Sequence, residues 1–287
     1  MAVSMKDYRG DVSTWCPGCG HFSVMAGIQK ALINQNLEPH EVAVVSGIGC
    51  SGKVSEYMRA YGFHTLHGRS LPVAQAVKLA NSGLKVVAAG GDGDGYGIGA
   101  GHFTHAARRN VDMTYVVMDN RIYGLTKGQT SPTSAQGFKS KTSPEGSGER
   151  EVKPLELALG AGASFVAQAF SGDIKTLTEL IQQGMEHTGF SIINVFSPCV
   201  TYNKVNTYDY FKENLVDLNT LEGYDPSDKA QAYSKVIEYD GLLQGVIYKN
   251  PRPAYHTFLD GYPETPIAFN SVETDKAVLD ELWAAFK

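Results

Sequence analysis

Five short apolar runs recur along the first two hundred positions: "EVAVVS" (41–46), "KVVAAG" (85–90), "MTYVVMD" (113–119), "SFVAQAF" (164–170) and "SIINVF" (191–196). They are rich in β-branched residues and nearly uniformly apolar, a pattern that suits strands covered on both faces of a parallel sheet. Amphipathic stretches lie between them. Met25, Ile28 and Leu32 repeat at helical spacing, as do Ile174, Leu177, Leu180 and Ile181. "SLPVAQAVKLANSG" (70–83) offers Ser70 as an N-cap, Pro72 in the first turn and Gly83 as a stop. Strand and helix alternating at this rhythm predict an α/β fold with a doubly wound, mostly parallel sheet.

Composition narrows the class. Of 287 residues, 43% are hydrophobic and 19% charged, which is ordinary for a globular protein large enough to bury a sizeable core. The net charge of −5, with no long basic run, argues against nucleic-acid binding. "MAVSMKDYRG" carries charges where a signal peptide would be apolar, and no segment approaches the roughly 18 apolar residues of a membrane helix. The expectation is a cytoplasmic protein without membrane contact.

Two segments break the rhythm. "TKGQTSPTSAQGFKSKTSPEGSGERE" (126–151) reads as a long loop, and long loops inside compact domains are usually functional or mobile. Beyond Pro198 the chain becomes richer in Tyr and charge, with helices expected near 228–239 and 275–286. Residues 1–200 are therefore read as the α/β domain. Residues 201–287 are read as a C-terminal extension that packs on that domain or on a partner subunit.

"GGDGDGYGIGAGHF" (90–103) places Asp92 and Asp94 directly after a strand, at the end where open α/β sheets bind ligands. The dinucleotide fingerprint fails on spacing, because Gly91 and Gly93 would require a glycine at the position Tyr96 occupies. Glycine-rich backbone leading into a helix N-terminus can instead close around a diphosphate. Asp92 would repel phosphate by itself but could ligate a magnesium ion bridging to it. Asn120 follows a second strand and would join Asp92 if the two strands are neighbours, with the carbonyl of Ile122 as a third oxygen. A glycine-rich turn whose aspartates satisfy loop amides remains open at this point.

The four cysteines are Cys16 and Cys19 in "CPGC", Cys50 in "GIGCSGK" and Cys199 in "FSPCV". Cys50 and Cys199 each sit just past a strand, at the same end of the sheet as the glycine cluster. Four thiols could complete the ligand set of a structural zinc or of an iron–sulfur cluster, and spacing does not separate the two. "GIGCSGKV" (47–54) also fits the phosphate-loop pattern G-x-x-x-x-G-K, but Val54 stands where Ser or Thr must hold magnesium.

Gly-Asp-Gly followed about thirty residues later by Asn is similar to the diphosphate motif of thiamine diphosphate enzymes. Together, "CPGCGH", "GIGCSGK", "HGR", "GGDGDGYGIGAGHFTHAARRN" and "DNRIYGLTKGQTSPT" resemble the β subunit of 2-oxoacid:ferredoxin oxidoreductases over 15–202. The resemblance implies a diphosphate-domain fold in residues 1–200 with thiamine diphosphate, Mg2+ and one [4Fe–4S] cluster. It assigns Cys16, Cys19, Cys50 and Cys199 to the cluster and Asp92, Asn120 and the Ile122 carbonyl to magnesium. Ile48, Gly49, Cys50, Ser51, Gly93, Asp94, Gly124 and Leu125 fall to the thiamine cofactor. His67 is implied beside the cofactor, Lys127 at the active-site entrance, and Lys53 as the partner of the distal carboxylate of 2-oxoglutarate. The implied reaction is coenzyme A-dependent oxidative decarboxylation, with electrons passing through the cluster to ferredoxin. A pyruvate preference, or a non-oxidative thiamine enzyme carrying zinc, are the alternatives. The carboxylate that activates thiamine belongs in this family to an α subunit with the pyrimidine-binding domain, so a heterodimer or a dimer of heterodimers is expected.

Overall fold

The computed structural model describes residues 2–263, 265–266, 269 and 275–286. Its elements run α1 (His21–Asn34), β1 (Val42–Ser46), α2 (Val54–Tyr57), β2 (Tyr61–His64), α3 (Ser70–Ala80) and β3 (Lys85–Gly91). They continue with α4 (Ala100–Arg109), β4 (Met113–Asp119), α5 (Pro154–Ala161), β5 (Phe165–Phe170), α6 (Ile174–Glu186) and β6 (Phe190–Phe196). The chain closes with α7 (Tyr208–Asn214), β7 (Val216–Asp217), α8 (Lys229–Glu238), β8 (Leu243–Lys249) and α9 (Lys276–Ala285).

All five apolar runs are strands. They lie in one eight-stranded sheet of order β2-β1-β3-β4-β6-β5-β8-β7. Strands β1 to β6 are mutually parallel, β8 joins β5 antiparallel, and β7 joins β8 in parallel. Both faces are covered. Ala43, Val45, Val86 and Ala88 point into a core that includes Leu71 of α3, Phe103 of α4 and Leu159 of α5. Val42, Val44, Val87 and Ala89 point the other way, against Ile28 and Leu32 of α1 and Leu177 and Ile181 of α6. Each large apolar side chain contributes roughly 1.5–3 kcal/mol on burial, so this double layer is the main source of stability. Phe103 is fully buried and meets the rings of Tyr96, Tyr115 and Phe190, so truncating it to alanine would cost about 3–5 kcal/mol.

Strand order reverses at β1, with β2 on one side and β3 on the other. A crevice opens at such a switch point, beyond the carboxyl ends of the strands. The loops after β1, β3, β4 and β6 all emerge at that end.

Three details depart from the sequence expectation. Helix α3 starts at Ser70 itself, with Arg69 in the N-cap position and no side-chain cap, because Ser70 is turned inward and buried. Strand β2 was hidden by its composition: Tyr61, Gly62, Phe63 and His64 are all exposed at the sheet edge and show no apolar period. Strand β8 carries an extra residue, Ile247, between the partners of Val166 and Ala167 of β5, the register shift of a β-bulge. The segment beyond residue 200 thus adds β7 and β8 to the sheet, and α8 buries Ala232 and Val236 in the first core.

Candidate active site

The loop after β1 and the turn after β3 are locked together at Asp94. Its Oδ1 accepts the backbone N–H groups of Ile48 at 2.9 Å and Gly68 at 2.8 Å, and His67 Nδ1 lies 2.9 Å away. Burial pushes this carboxyl upward while the two N–H groups and His67 oppose the shift. The close fit explains the glycines of "GIGCSGK". A Cβ on Gly47 would lie 1.9 Å from Asp94 Oδ2, and one on Gly52 would lie 2.2 Å from the Gly47 carbonyl oxygen. These glycines serve backbone approach, which is why the phosphate-loop pattern arises without its chemistry.

Strands β3 and β4 are neighbours, so Asp92 and Asn120 come to the same cavity. Ile48, Gly49, Cys50, Ser51, His67, Gly93, Asp94, Ile122, Gly124 and Leu125 line it with them. Its volume of about 90 Å³ is below the roughly 300–1,000 Å³ of typical ligand sites. A Cβ on Gly93 would meet Tyr123 Cε1 at 2.0 Å, while the Tyr123 hydroxyl reaches the Gly93 carbonyl at 3.3 Å.

Asp92 is buried, and Asp92 Oδ2 accepts from the hydroxyls of Ser131 and Thr133. Thr133 also reaches Asp119 Oδ1 at 2.9 Å. Burial and the neighbouring Asp119 carboxylate hold Asp92 above the usual carboxylate range. Two buried carboxylates stand side by side here, with the Arg121 guanidinium opposing the rise of Asp119, and a bound cation would offset their remaining repulsion. Asn120 Oδ1 accepts from the Ile122 N–H at 3.0 Å, bringing the amide oxygen and the Ile122 carbonyl to the same short turn. An acid, an amide and a carbonyl of this kind fit a hard divalent cation such as magnesium.

All four cysteines line a second pocket of about 190 Å³. Burial drives the Cys19 thiol to about 12, and nearby Cys199, Cys50 and Cys16 add to the shift. Burial likewise raises Cys50, assisted by Cys199 and Cys16 and opposed by Lys53. Among the described residues no three His, Cys, Asp or Glu side chains form a group that could hold a single metal ion. Four thiols around one pocket could supply the ligands of a structural zinc or of an iron–sulfur cluster. His21, Cys50, Asn120, Gly124 and Leu125 line both pockets, so the two share a wall.

The lysines stand apart from the cofactor cavity. Lys53 lines the thiol pocket and its Nζ donates to Thr14 Oγ1 at 3.0 Å. Lys127 is exposed on the loop after β4, with a left-handed φ of +78°.

Sequence reasoning missed Ser131 and Thr133, which lie in the long loop and reach Asp92, and it missed His21 and Trp15. His21 is buried, which lowers its imidazole to about 4, and its Nδ1 lies 2.7 Å from Ser197 Oγ. Trp15 Nε1 donates to the Cys50 carbonyl at 2.6 Å. Only "TSPTS" (130–134), polar residues crowded inside the long loop, hinted at the first pair.

Sheet order and cavity together define a doubly wound α/β domain with a ligand cavity at its switch point. Comparison agrees: residues 47–195 match the family "Thiamine pyrophosphate enzyme, C-terminal TPP binding domain", and 199–264 match the C-terminal region of the pyruvate ferredoxin oxidoreductase beta chain family. The chain is 43% identical over 258 residues to a 2-oxoacid:ferredoxin oxidoreductase subunit beta from Saccharolobus solfataricus, covering 86% of this chain and 85% of the relative. It is 40% identical to the 2-oxoglutarate synthase subunit KorB of Archaeoglobus fulgidus, over 78% of this chain and 85% of that one. Among solved structures it is similar, with a TM-score of 0.89 and 42% identity, to a 2-oxoglutarate:ferredoxin oxidoreductase from Magnetococcus marinus bound to 2-oxoglutarate, coenzyme A and succinyl-CoA. That likeness covers 98% of this chain and 96% of the other. The chain belongs to the family of 2-oxoacid:ferredoxin oxidoreductase β subunits, whose naming implies an α subunit as partner. No helix among the described residues is long and apolar enough to cross a membrane.

Proposed function

We propose that this β subunit, with its α partner, catalyses the coenzyme A-dependent oxidative decarboxylation of 2-oxoglutarate and passes the electrons through a [4Fe–4S] cluster to ferredoxin. The observation that carries this reading is the shared wall between the cofactor cavity and the four-thiol pocket. Thiamine diphosphate supplies, when bound, the carbon nucleophile and electron sink that 2-oxoacid decarboxylation requires. The chain's own part is positioning. Asp92, Asn120 and the Ile122 carbonyl would hold magnesium against the diphosphate, while Ile48 to Ser51, Gly93, Gly124 and Leu125 enclose it. Asp94 holds His67 and the β1 loop in place from behind. Cys16, Cys19, Cys50 and Cys199 would hold the cluster on the far side of the wall, within easy electron-transfer reach.

The small cavity supports a split active site. Its missing wall, and the carboxylate that activates the aminopyrimidine, are assigned to the pyrimidine-binding domain of the α subunit, in a heterodimer or dimer of heterodimers. Preference for 2-oxoglutarate is supported by the KorB relatives and by the ligands of the Magnetococcus marinus enzyme. Lys53, which lines the thiol pocket, is the ammonium group proposed to recognise the distal carboxylate, and Lys127 is proposed as a basic residue at the active-site entrance. Such a charge-assisted hydrogen bond is worth about 1.5–3 kcal/mol. The pyruvate alternative draws on the family description matched by residues 199–264.

The complex, purified anaerobically with its co-expressed partner, tests the reading by low-temperature EPR. Addition of 2-oxoglutarate and coenzyme A is expected to produce a reduced-cluster signal that pyruvate elicits poorly. Equal signals would replace the 2-oxoglutarate preference with a broader or pyruvate-directed one. A silent sample containing zinc and no iron would overturn the oxidoreductase mechanism.

A further inference from the structure

His21 is the first residue of α1 and is 1% exposed. It lies two residues after Cys19, and its partner Ser197 lies two residues before Cys199. The 2.7 Å contact between His21 Nδ1 and Ser197 Oγ therefore ties two thiol-bearing segments together. The contact is built in: Gly20 passes so near that a Cβ there would fall 2.7 Å from Ser197 Oγ. Trp15 closes the ring from its edge, centroid to centroid 5.5 Å at 82°. A side chain this enclosed has one orientation.

Among the described residues His21 Nδ1 is the only hydrogen-bond partner of Ser197 Oγ. In the tautomer in which the hydroxyl donates to Nδ1, the imidazole carries its hydrogen on Nε2. Nε2 itself has no partner among the described residues, while the ring lines both the thiol pocket and the cofactor cavity. A donor without an acceptor is thus presented at the wall between them.

We infer that His21 donates a hydrogen bond from Nε2–H to the sulfur ligand set of the cluster and thereby raises its reduction potential. The inference rests on the iron–sulfur reading above. Reduction adds negative charge to sulfur, and an N–H dipole aimed at sulfur stabilises the reduced state more than the oxidised one. The effect favours acceptance of an electron from the cofactor side, where the reaction releases it.

The test is an EPR-monitored redox titration of the anaerobically purified holo complex. His21→Phe keeps the ring's bulk and removes the donor, whereas His21→Gln replaces Nε2–H with an amide N–H at a similar reach. The midpoint of the phenylalanine variant should move to more negative potential by at least a threefold change in the reduction equilibrium, about 30 mV for one electron. The glutamine variant should stay near wild type. A midpoint in His21→Phe that is unchanged or more positive overturns the inference, and so does an equal shift in both variants, which would mark a packing effect. If the phenylalanine variant loses its iron, Ser197→Ala provides the same reading: it leaves the ring in place, frees Nδ1, and should lower the midpoint. An unchanged midpoint there overturns the inference equally. Absence of iron from the wild-type complex would instead remove the iron–sulfur reading itself, so the two failures are distinct.

Discussion

His67 Nδ1 and Asp94 Oδ1 lie 2.9 Å apart, and the same carboxylate oxygen receives the backbone of Ile48 and Gly68. One buried acid therefore ties the β1 loop to the turn before α3, with the His67 ring beside it. Asp94 lines the cofactor cavity and braces the residues around it.

Replacing Asp94 by alanine leaves two buried N–H groups without an acceptor. With each charge-assisted bond worth about 1.5–3 kcal/mol, the melting temperature of the complex should fall by roughly 5–10 °C. Thiamine diphosphate affinity, measured by calorimetry, should weaken at least tenfold. Unchanged affinity with a lowered melting temperature would show that the brace serves stability alone.

Asp92→Asn removes the charge proposed to hold magnesium while keeping the shape that Ser131 and Thr133 grip. The concentration of Mg2+ needed for half-maximal thiamine diphosphate binding should rise more than tenfold, and chelation of the wild type should release the cofactor. Binding that is indifferent to chelator would remove Asp92 from the cation site.

Gly93→Ala drives a methyl group into the Tyr123 ring, so cofactor binding and stability should both suffer. Tyr123→Ala removes the obstacle. A double-mutant cycle should give a coupling energy above about 1 kcal/mol, because the two residues are in contact. Additive effects would mean that the alanine acts elsewhere.

His187 gives the stability a pH dependence of defined sign. Its Nε2 lies 2.8 Å from Ser164 Oγ, and burial together with the Lys249 charge lowers the imidazole to about 4. The unfolded chain, titrating near 6.5, takes up the proton first as pH falls. Its contribution is therefore complete above about pH 6.5 and declines as pH drops toward 4. Urea midpoints at pH 7.5 and pH 5 should differ more for the wild type than for His187→Gln. Equal differences would sink the assignment.

The parts of this fold that sequence reveals are those whose pattern is local. β1, β3 and β4 announce themselves because both faces are covered and nearly every position is apolar; β2 does not, because an exposed edge strand needs no pattern. The four thiols were legible as a set because Cys50 and Cys199 each follow a strand, while Cys16 and Cys19 share one tight turn. The polar groups that support the site were not. Ser131 meets Asp92 across 39 positions and His21 meets Ser197 across 176, and neither separation leaves a trace in spacing. Lys53 is a similar case: resemblance alone assigns it to the substrate, and nothing in its spacing foretold Thr14 as its partner at the thiol pocket.

Cys50 belongs to both pockets, flanked by Gly49 and Ser51 of the cofactor cavity and held by Trp15 through its carbonyl. One loop thus walls both pockets. If the thiols hold the proposed cluster, oxygen damage that strips its iron would slacken that loop and loosen the proposed grip on thiamine diphosphate in the same event. An enzyme so built would fail as a unit, without a surviving decarboxylase to release half-finished, reactive product once its proposed electron outlet is gone.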